Sequence, residues 1–255
     1  MHITKNKAAL LFLILGTFFL TNTILAEFIG IKIFSLEGTL GLQPFNWKLF
    51  GQEGSLDLTA GVLWWPVVFI MTDIINEYYG RKGVQLLSFL TAGLIIYSFV
   101  MVFAAIHVTP ADWWVGSYKE QGVNDAQIAF STIFGQGQWI IFGSIIAFII
   151  GQVLDAFVFQ KVRKITGEKY VWFRANVSTF ISQFIDSFVV LYIAFVLGPP
   201  KWSIALFLAV GTVNYCYKIS VAVLLTPLIY LSRGLIDRFL GTELSAQLKA
   251  EAAGE

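Results

Sequence analysis

Several ionisable side chains lie inside long apolar stretches of this sequence, and they are the residues best able to bind a polar ligand there. A charge near the middle of a bilayer costs at least about 2.5 kcal/mol. A purely structural helix bundle would rarely carry so many, so we interpret the set as functional. The alternative is that the charges pair with one another and only fix helix packing. The set comprises Glu27, Asp73, Glu77, Asp155, Asp186 and Lys218.

Helical spacing places these residues on polar faces, because residues three or four apart share one side of a helix. Four apolar stretches carry such a polar stripe. We therefore predict that four helices direct polar side chains into one shared cavity. The stripes are Asp73 with Glu77, Gln152 with Asp155, Asn214 with Lys218, and the run Asn176, Thr179, Gln183 and Asp186.

The carboxylates differ in where they lie along their apolar stretches. Asp186 and Lys218 both lie near the middle of their stretches, which predicts an ion pair between them. Asp73, Glu77 and Asp155 lie nearer one end. For Glu77 and Asp155, the alternative interpretation is that they hold neighbouring basic groups such as Arg81 and Lys161.

The composition decides where such helices must lie. The chain has 255 residues, of which 57% are apolar and 13% charged, and its mean hydropathy is +0.74. Soluble domains carry roughly 25% charged residues, so a soluble enzyme is excluded. The single cysteine excludes a disulfide scaffold. The net charge of +1 gives no bias toward nucleic acid, which we do not expect as a partner. The composition indicates an integral membrane protein in a lipid bilayer.

Six stretches reach the roughly 20 residues that a helix needs to cross the hydrocarbon core. They are too long and too uniformly apolar for barrel strands. The sequence therefore predicts an all-α membrane protein with six transmembrane helices, forming a single domain over residues 1–255 with a cytoplasmic tail at 232–255. The predicted spans are residues 8–34, 58–78, 84–107, 138–160, 171–197 and 202–231.

The basic residues orient these helices, because cytoplasmic loops are rich in lysine and arginine. Twelve of the 17 Lys and Arg residues fall on one side and only Lys48, Lys119 and Lys201 on the other. We therefore predict that both termini are cytoplasmic and that residues 35–57 and 108–137 form outer loops.

Catalytic motifs are missing from the sequence. It contains no phosphate-binding G-x-x-x-x-G-K-[ST] loop, no H-E-x-x-H and no G-x-S-x-G. Its two histidines, His2 and His107, are far apart in the chain. We therefore expect no enzyme activity, no catalytic residue, no metal and no cofactor.

Four blocks of sequence carry a resemblance to a known family. They are residues 64–80 (WWPVVFIMTDIINEYYG), 151–164 (GQVLDAFVFQKVRK), 178–195 (STFISQFIDSFVVLYIAF) and 214–230 (NYCYKISVAVLLTPLIY). Together these blocks resemble the signature of the queuosine precursor transporter family, formerly described as vitamin uptake transporters. The resemblance covers the second to sixth predicted spans. The matching positions are Pro66, Asp73, Gly80, Gln152, Asp155, Ser178, Thr179, Asp186, Tyr215, Cys216 and Lys218.

This resemblance implies import of 7-cyano-7-deazaguanine and 7-aminomethyl-7-deazaguanine, precursors of a modified tRNA base, across the bacterial inner membrane. It also implies a six-helix fold related to the substrate-binding subunits of energy-coupling-factor transporters. Because relatives work without an ATPase module, we expect no dedicated ATPase partner. The sequence leaves open whether the chain forms a homo-oligomer.

A ligand of this type suits the polar residues. A guanine-like ring presents adjacent N–H donors to a carboxylate, while its carbonyl oxygen needs an amide or ammonium donor. We expect Asp186 or Asp73 to accept the N–H edge. The remaining candidates are Gln183, Gln152 or Asn214 for the other polar atoms, Trp65, Phe69 or Tyr215 for stacking, and Lys218, Asp155 and Glu77 as further polar contacts.

Two alternatives to an independent importer remain. One is a subunit that captures a vitamin or nucleobase and needs a separate ATPase module for turnover. The other is a structural membrane protein whose charges are all paired.

Overall fold

The computed structural model describes residues 6–135, 138–167 and 169–254. Residues 136 and 137 of the predicted second outer loop, and residue 255 of the predicted tail, lie outside the described residues. Most of the described chain is helical. Its helices are α1 (Lys7–Ile29), α2 (Leu36–Thr39), α3 (Trp65–His107), α4 (Asp112–Val115), α5 (Ala126–Phe134), α6 (Gln138–Thr166), α7 (Val171–Leu191), α8 (Ile204–Leu240) and α9 (Thr242–Ala253).

Short elements connect these helices. Four three-residue strands lie between α1 and α3, a 3₁₀ turn precedes α3, another lies between α4 and α5, and a π-helical turn follows α7. The strands are β1 (Ile33–Ser35), β2 (Trp47–Leu49), β3 (Gln52–Gly54) and β4 (Asp57–Thr59), and the turns are Ala60–Leu63, Lys119–Gln121 and Tyr192–Leu197.

Within the described ranges, five helical segments are long and apolar enough to cross a membrane. This confirms the class of a multi-pass integral membrane protein. The predicted span 84–107 and residues 65–78 of the predicted span 58–78 lie in the single 43-residue helix α3, whereas residues 58–63 lie in β4 and the turn before α3. The five segments are α1, α3, Ala126–Thr166, Val171–Leu197 and α8.

Helix α3 is broken at Gly80, whose φ of 66° and ψ of −173° are not helical. This region of backbone space is essentially restricted to glycine. Gly83 packs against Ile75, eight residues earlier, which a continuous helix would place about 12 Å away along its axis. The chain therefore reverses at Gly80, and we call residues 65–79 the first arm and residues 81–107 the second arm.

Contacts with α1 give the direction of each arm. The Tyr79 hydroxyl donates to the Ala8 carbonyl at 2.7 Å, whereas Gly61, just before the first arm, packs against Ala26. The first arm is therefore antiparallel to α1. The second arm is parallel to it, because Leu87 packs against Gly16 and Phe99 stacks on Phe28.

The remaining long helices also alternate in direction along the chain. Helix α6 runs beside the first arm, α7 packs antiparallel to α6, and α8 packs antiparallel to α7. The end of α8 returns to the start of α1, where the Lys7 ammonium donates to the Phe239 carbonyl at 2.8 Å. Both termini of the bundle therefore lie at one end, which we call the terminal end.

The bundle is apolar outside and polar inside. Leu224 on α8 is 75% exposed, whereas the Arg174 side chain on α7 is fully buried. An apolar core also forms where α1, the two arms of α3, α6 and α8 meet, with Phe19, Val84 and Ala156 among its members. A protein in water would reverse this exposure pattern, and a surrounding bilayer accounts for it.

The segment between α1 and α3 is folded back on itself at the opposite end. β1 pairs antiparallel with β4, and β2 with β3. Glu37 fixes the segment between β1 and β4, since one of its oxygens accepts hydrogen bonds from the backbone N–H groups of Phe45 and Leu56. Burial opposes ionisation of Glu37, but these hydrogen bonds and one from Ser35 hold its pKa below its ordinary value.

Several helix ends differ from the predicted spans. Helix α1 ends at Ile29, before Phe34, because the chain turns into β1. Pro66 lies in the first turn of α3, where a missing N–H costs nothing. Helix α8 continues past Leu231 to Leu240, and α9 then packs on the bundle, so most of the predicted tail is helical.

The reversal at Gly80 gives a testable prediction. Gly80→Ala places a Cβ in a backbone region that L-residues avoid, so we expect a loss of about 1–3 kcal/mol in unfolding free energy. Gly93→Ala is the matched control, since Gly93 is helical, exposed and open to a methyl group. Thermal unfolding in detergent should show a lower midpoint for Gly80→Ala only. Equal midpoints would contradict a reversal that depends on glycine.

Candidate functional site

A cavity of about 360 Å³ lies at the end of the bundle opposite the terminal end. The C-terminal part of α1, the start of the first arm, α6, α7 and α8 form its walls. Thr59 of β4 and Ile33 of β1 close one side. Its principal polar and aromatic residues are Glu27, Trp65, Ser144, Asp186, Asn214 and Lys218.

An ion pair between two helices stands in the cavity wall. The Lys218 ammonium donates to Asp186 Oδ2 at 2.5 Å, which confirms the predicted pair. The two side chains are only 11% and 14% exposed. Among the described residues, no donor contacts the second oxygen, Asp186 Oδ1. This oxygen is therefore available to a ligand in the cavity.

Glu27 adds a second carboxylate to the same cavity. The Ser144 hydroxyl donates to its Oε1 at 2.5 Å, and Asp186 and Lys218 are near enough to act on it electrostatically. Glu27 is one of the ionisable residues in the apolar stretches but was not part of the predicted site. The sequence did contain a spacing signal for Glu27, because the polar Thr23 precedes it by four residues on α1. Nothing in the sequence singled out Ser144.

The predicted aromatic residues lie in different places. Trp65 lines the cavity and contacts the rings of Phe69 and Phe148. Phe69 instead lines a separate void of about 10 Å³, beside Asp73. The Tyr215 hydroxyl donates to the Phe180 carbonyl at 3.1 Å and is outside the cavity lining. Trp65 is therefore the predicted stacking residue that the structure places at the cavity.

Four other predicted residues form a buried layer below the cavity. Asp73, Gln152, Asp155 and Gln183 are each at most 3% exposed and do not line the cavity. The Ser182 hydroxyl donates to Asp155 Oδ1 at 3.0 Å, and the Thr72 hydroxyl donates to Gln152 Oε1 at 2.8 Å. We call Asp73, Gln152, Asp155 and Gln183 the middle layer.

Glu77, the remaining predicted residue, lies at the terminal end in a cluster of arginines. Arg174 Nη2 donates to Glu77 Oε2, Arg233 lies 3.4 Å from Oε1, and Arg163 lies 3.8 Å from Oε2. The alternative interpretation of Glu77 as an anchor for basic groups is confirmed, but its partners are these arginines. The expected Arg81 and Lys161 lie over the ring of Phe157.

Helix α9 covers this terminal end. Asp237 on α8 accepts from the Tyr78 hydroxyl, the Ser245 hydroxyl and the Lys249 ammonium. The backbone carbonyl of Lys249 accepts from Arg163 Nη2 at 2.8 Å. The cavity end is thus open to ligand, whereas the terminal end is closed by buried ion pairs.

The side chains that line the cavity can bind a small polar ligand. The cavity presents carboxylate acceptors, an ammonium donor, an amide and an indole ring. Across the described ranges, no group of three or more His, Cys, Asp and Glu side chains could hold a metal ion.

Comparison with known proteins adds the family. The family model described as "Putative vitamin uptake transporter" matches residues 59–232. A protein of Bacillus subtilis (strain 168) named "Probable queuosine precursor transporter" is 31% identical over 194 residues, covering 74% of this chain and 76% of the relative. The chain belongs to the queuosine precursor transporter family.

More distant relatives agree with this membership. The "Queuosine precursor transporter" of Escherichia coli (strain K12) is 25% identical over 65% of this chain and 67% of its own length. A relative in Haemophilus influenzae is 24% identical over 67% of this chain and 66% of its own length. No solved structure matches the transporter. The family match contains Trp65, Asp186 and Lys218 but not α1, so Glu27 lies outside it.

The arginine cluster gives a stability prediction for the transporter. Glu77→Gln leaves buried arginines without their carboxylate, so we expect a loss of about 3–5 kcal/mol in unfolding free energy. The matched control is Glu53→Gln, which breaks an exposed pair with Lys48, where both side chains are more than half exposed. Thermal unfolding in detergent should separate the two variants. Similar midpoints would contradict a stabilising role for Glu77.

Proposed function

We propose that this transporter imports queuosine precursors, 7-cyano-7-deazaguanine and 7-aminomethyl-7-deazaguanine, across the bacterial inner membrane. The observation that carries the proposal is the cavity with Asp186 and Lys218 in its wall. Its volume of about 360 Å³ falls within the roughly 300–1,000 Å³ typical of small-molecule sites. The relatives named queuosine precursor transporters support the substrate class.

The polar groups of the cavity match a guanine-like ring. Asp186 Oδ1 accepts the adjacent N–H groups of the ring, while Lys218 or Asn214 donates to its carbonyl oxygen. Trp65 provides a flat surface for stacking. A ligand without these polar atoms would leave a buried carboxylate and ammonium without new partners, which disfavours its binding.

Glu27 explains how one cavity accepts both precursors. The aminomethyl group is a cation at neutral pH, and a second carboxylate near Asp186 can pair with it. The cyano group is neutral and needs no such partner. Ser144 donates to one Glu27 oxygen and fixes the side chain for this contact.

Six membrane crossings are the topology we propose. The reversal at Gly80 supports this number, since each arm of α3 runs in the opposite direction to the other. The common position of Lys7 and Phe239 supports termini on one side of the membrane. The excess of lysine and arginine on that side favours the cytoplasm. The cavity then faces outward, and the arginine cluster of Glu77 closes the cytoplasmic end.

The substrate assignment is tested by rescue of tRNA queuosine. Cells unable to make 7-deazaguanines and lacking their own importer would express this chain and receive each precursor at nanomolar concentration. Asp186→Asn removes a charged acceptor worth about 1.5–3 kcal/mol, so rescue should require at least about tenfold more precursor. Glu53→Gln should rescue as the wild type does. Full rescue by a correctly inserted Asp186→Asn would contradict the assigned role of Asp186.

Glu27→Gln tests the proposed discrimination between the precursors. It removes the carboxylate that pairs with the aminomethyl cation, so we expect about tenfold weaker uptake of that precursor and little change for the cyano form. Competition between the two precursors in the same cells measures the ratio directly. An unchanged ratio would exclude Glu27 as the partner of the aminomethyl group.

The second candidate function is a vitamin-capture subunit that requires a separate ATPase, and the description of the family model favours only its vitamin substrate. Transport into vesicles that contain only this protein and no ATP separates the two. Uptake there supports an independent importer, and uptake only with an added ATPase supports the alternative.

A further inference from the structure

The middle layer holds two carboxylates without a cationic partner. Asp155 is fully buried and Asp73 is 3% exposed. Among the described residues, neither forms an ion pair. Asp73 Oδ1 and Asp155 Oδ2 are buried and accept no hydrogen bond.

Neighbouring contacts bring the helices that carry these carboxylates together. Thr72 donates to Gln152 across the interface between the first arm and α6, and Asn76 Nδ2 donates to the Ala156 carbonyl at 3.2 Å. These two contacts bracket Asp73 and Asp155. The charged groups near enough to act on Asp73 are Asp155 on α6, Arg174 on α7 and Glu77 on its own arm.

None of these charged groups neutralises the pair. Arg174 is engaged by Glu77 and by the Gly167 carbonyl. On α8, the residues beside Asp73 are the apolar Ala222 and Ile229. Asp155 receives a hydrogen bond from the Ser182 hydroxyl on α7. Two adjacent carboxylates in a dry interior cannot both stay ionised, so one of them must bind a proton.

Unpartnered amide groups provide an independent indication of a ligand in this layer. Gln152 is 1% exposed, and its Nε2 has no hydrogen-bond partner although its Oε1 is held by Thr72 beside Asp73. Gln183 is also 1% exposed, and neither of its amide atoms has a partner. Buried polar atoms of this kind need water or another small polar species.

The middle layer also lies on a polar line between the two ends of the bundle. Along α7, polar side chains follow at each turn from Asp186 in the cavity to Arg174 in the arginine cluster. Arg174 and Asp186 are twelve positions apart, which corresponds to roughly 18 Å of helix. The intermediate polar residues are Gln183, Ser182, Thr179 and Ser178.

We propose that Asp73 and Asp155 form a proton-binding site that couples substrate import to inward proton movement. The proton comes from the outer solution through the cavity and is held by the pair as one carboxylic acid beside one carboxylate. It leaves to the cytoplasm when the bundle opens there and water reaches the pair. One proton accompanies one substrate molecule, whose bonds do not change. The coupling step rests on the proposed function, whereas proton binding by the pair does not.

Transport is tested with the purified full-length chain in liposomes, using labelled 7-cyano-7-deazaguanine. Counterflow without a pH gradient tests the proposed function alone. With the membrane potential clamped at zero, a gradient of one pH unit, acid outside, should drive up to about tenfold accumulation and substrate-dependent proton uptake. Asp73→Asn and Asp155→Asn should each reduce accumulation to the equilibrium ratio while counterflow persists. Glu53→Gln should behave as the wild type does.

Proton binding is measured separately by infrared difference titration of the same liposomes without substrate. A carboxylic-acid carbonyl band should titrate in the wild type and in Glu53→Gln, and it should be lost in either Asp→Asn variant. Absence of this band, or its persistence in both variants, would overturn the proton site. Counterflow without proton uptake would overturn coupling and leave import intact. Absence of counterflow with every precursor would overturn the proposed function and coupling, while the band would still decide the proton site.

Discussion

The bundle depends on the cost of placing charge where no water can solvate it. In the apolar interior, a charged side chain needs a partner of opposite charge, and in this bundle those partners lie on other helices. Asp186 and Lys218 join α7 to α8, and Glu77 joins the first arm to α6, α7 and α8. Each such contact fixes the mutual position of two helices, which apolar packing inside lipid specifies only weakly.

This constraint separates the bundle into layers that differ in how their carboxylates are paired. At the terminal end, Glu77 meets three arginines, and Asp237 accepts hydrogen bonds from three side chains. In the middle layer, several buried polar atoms have no partner. At the cavity, Asp186 retains an oxygen for a ligand. A set of packing charges would pair its carboxylates in every layer, so the unpaired Asp73 and Asp155 favour a transport path.

The sequence predicted what depends on composition and helical spacing. It gave membrane insertion, the pairing of Asp186 with Lys218 and a polar interior shared by several helices. It could not give the depth of each residue relative to the cavity, and so Asp73, Asp155 and Asp186 entered one site although they belong to different layers. Glu27 was absent from the predicted site because it lies on α1, which is not one of the four helices with a predicted polar stripe. The pairing of β1 with β4 depends on contacts between short segments without periodicity, which no spacing rule predicts.

The closed terminal end determines what a substrate must do. Glu77 and its arginines come from four different helical segments, so opening there separates a buried carboxylate from buried cations, at a cost of several kcal/mol. A ligand shifts such an equilibrium only by binding one state more tightly than the other. Contacts limited to Asp186, Lys218 and Trp65 in the open cavity would stabilise the outward state and oppose opening. Under the proposed function, the substrate must therefore gain contacts on passing inward. Among the described residues, the amides of Gln152 and Gln183 have buried atoms without a partner that could supply such contacts.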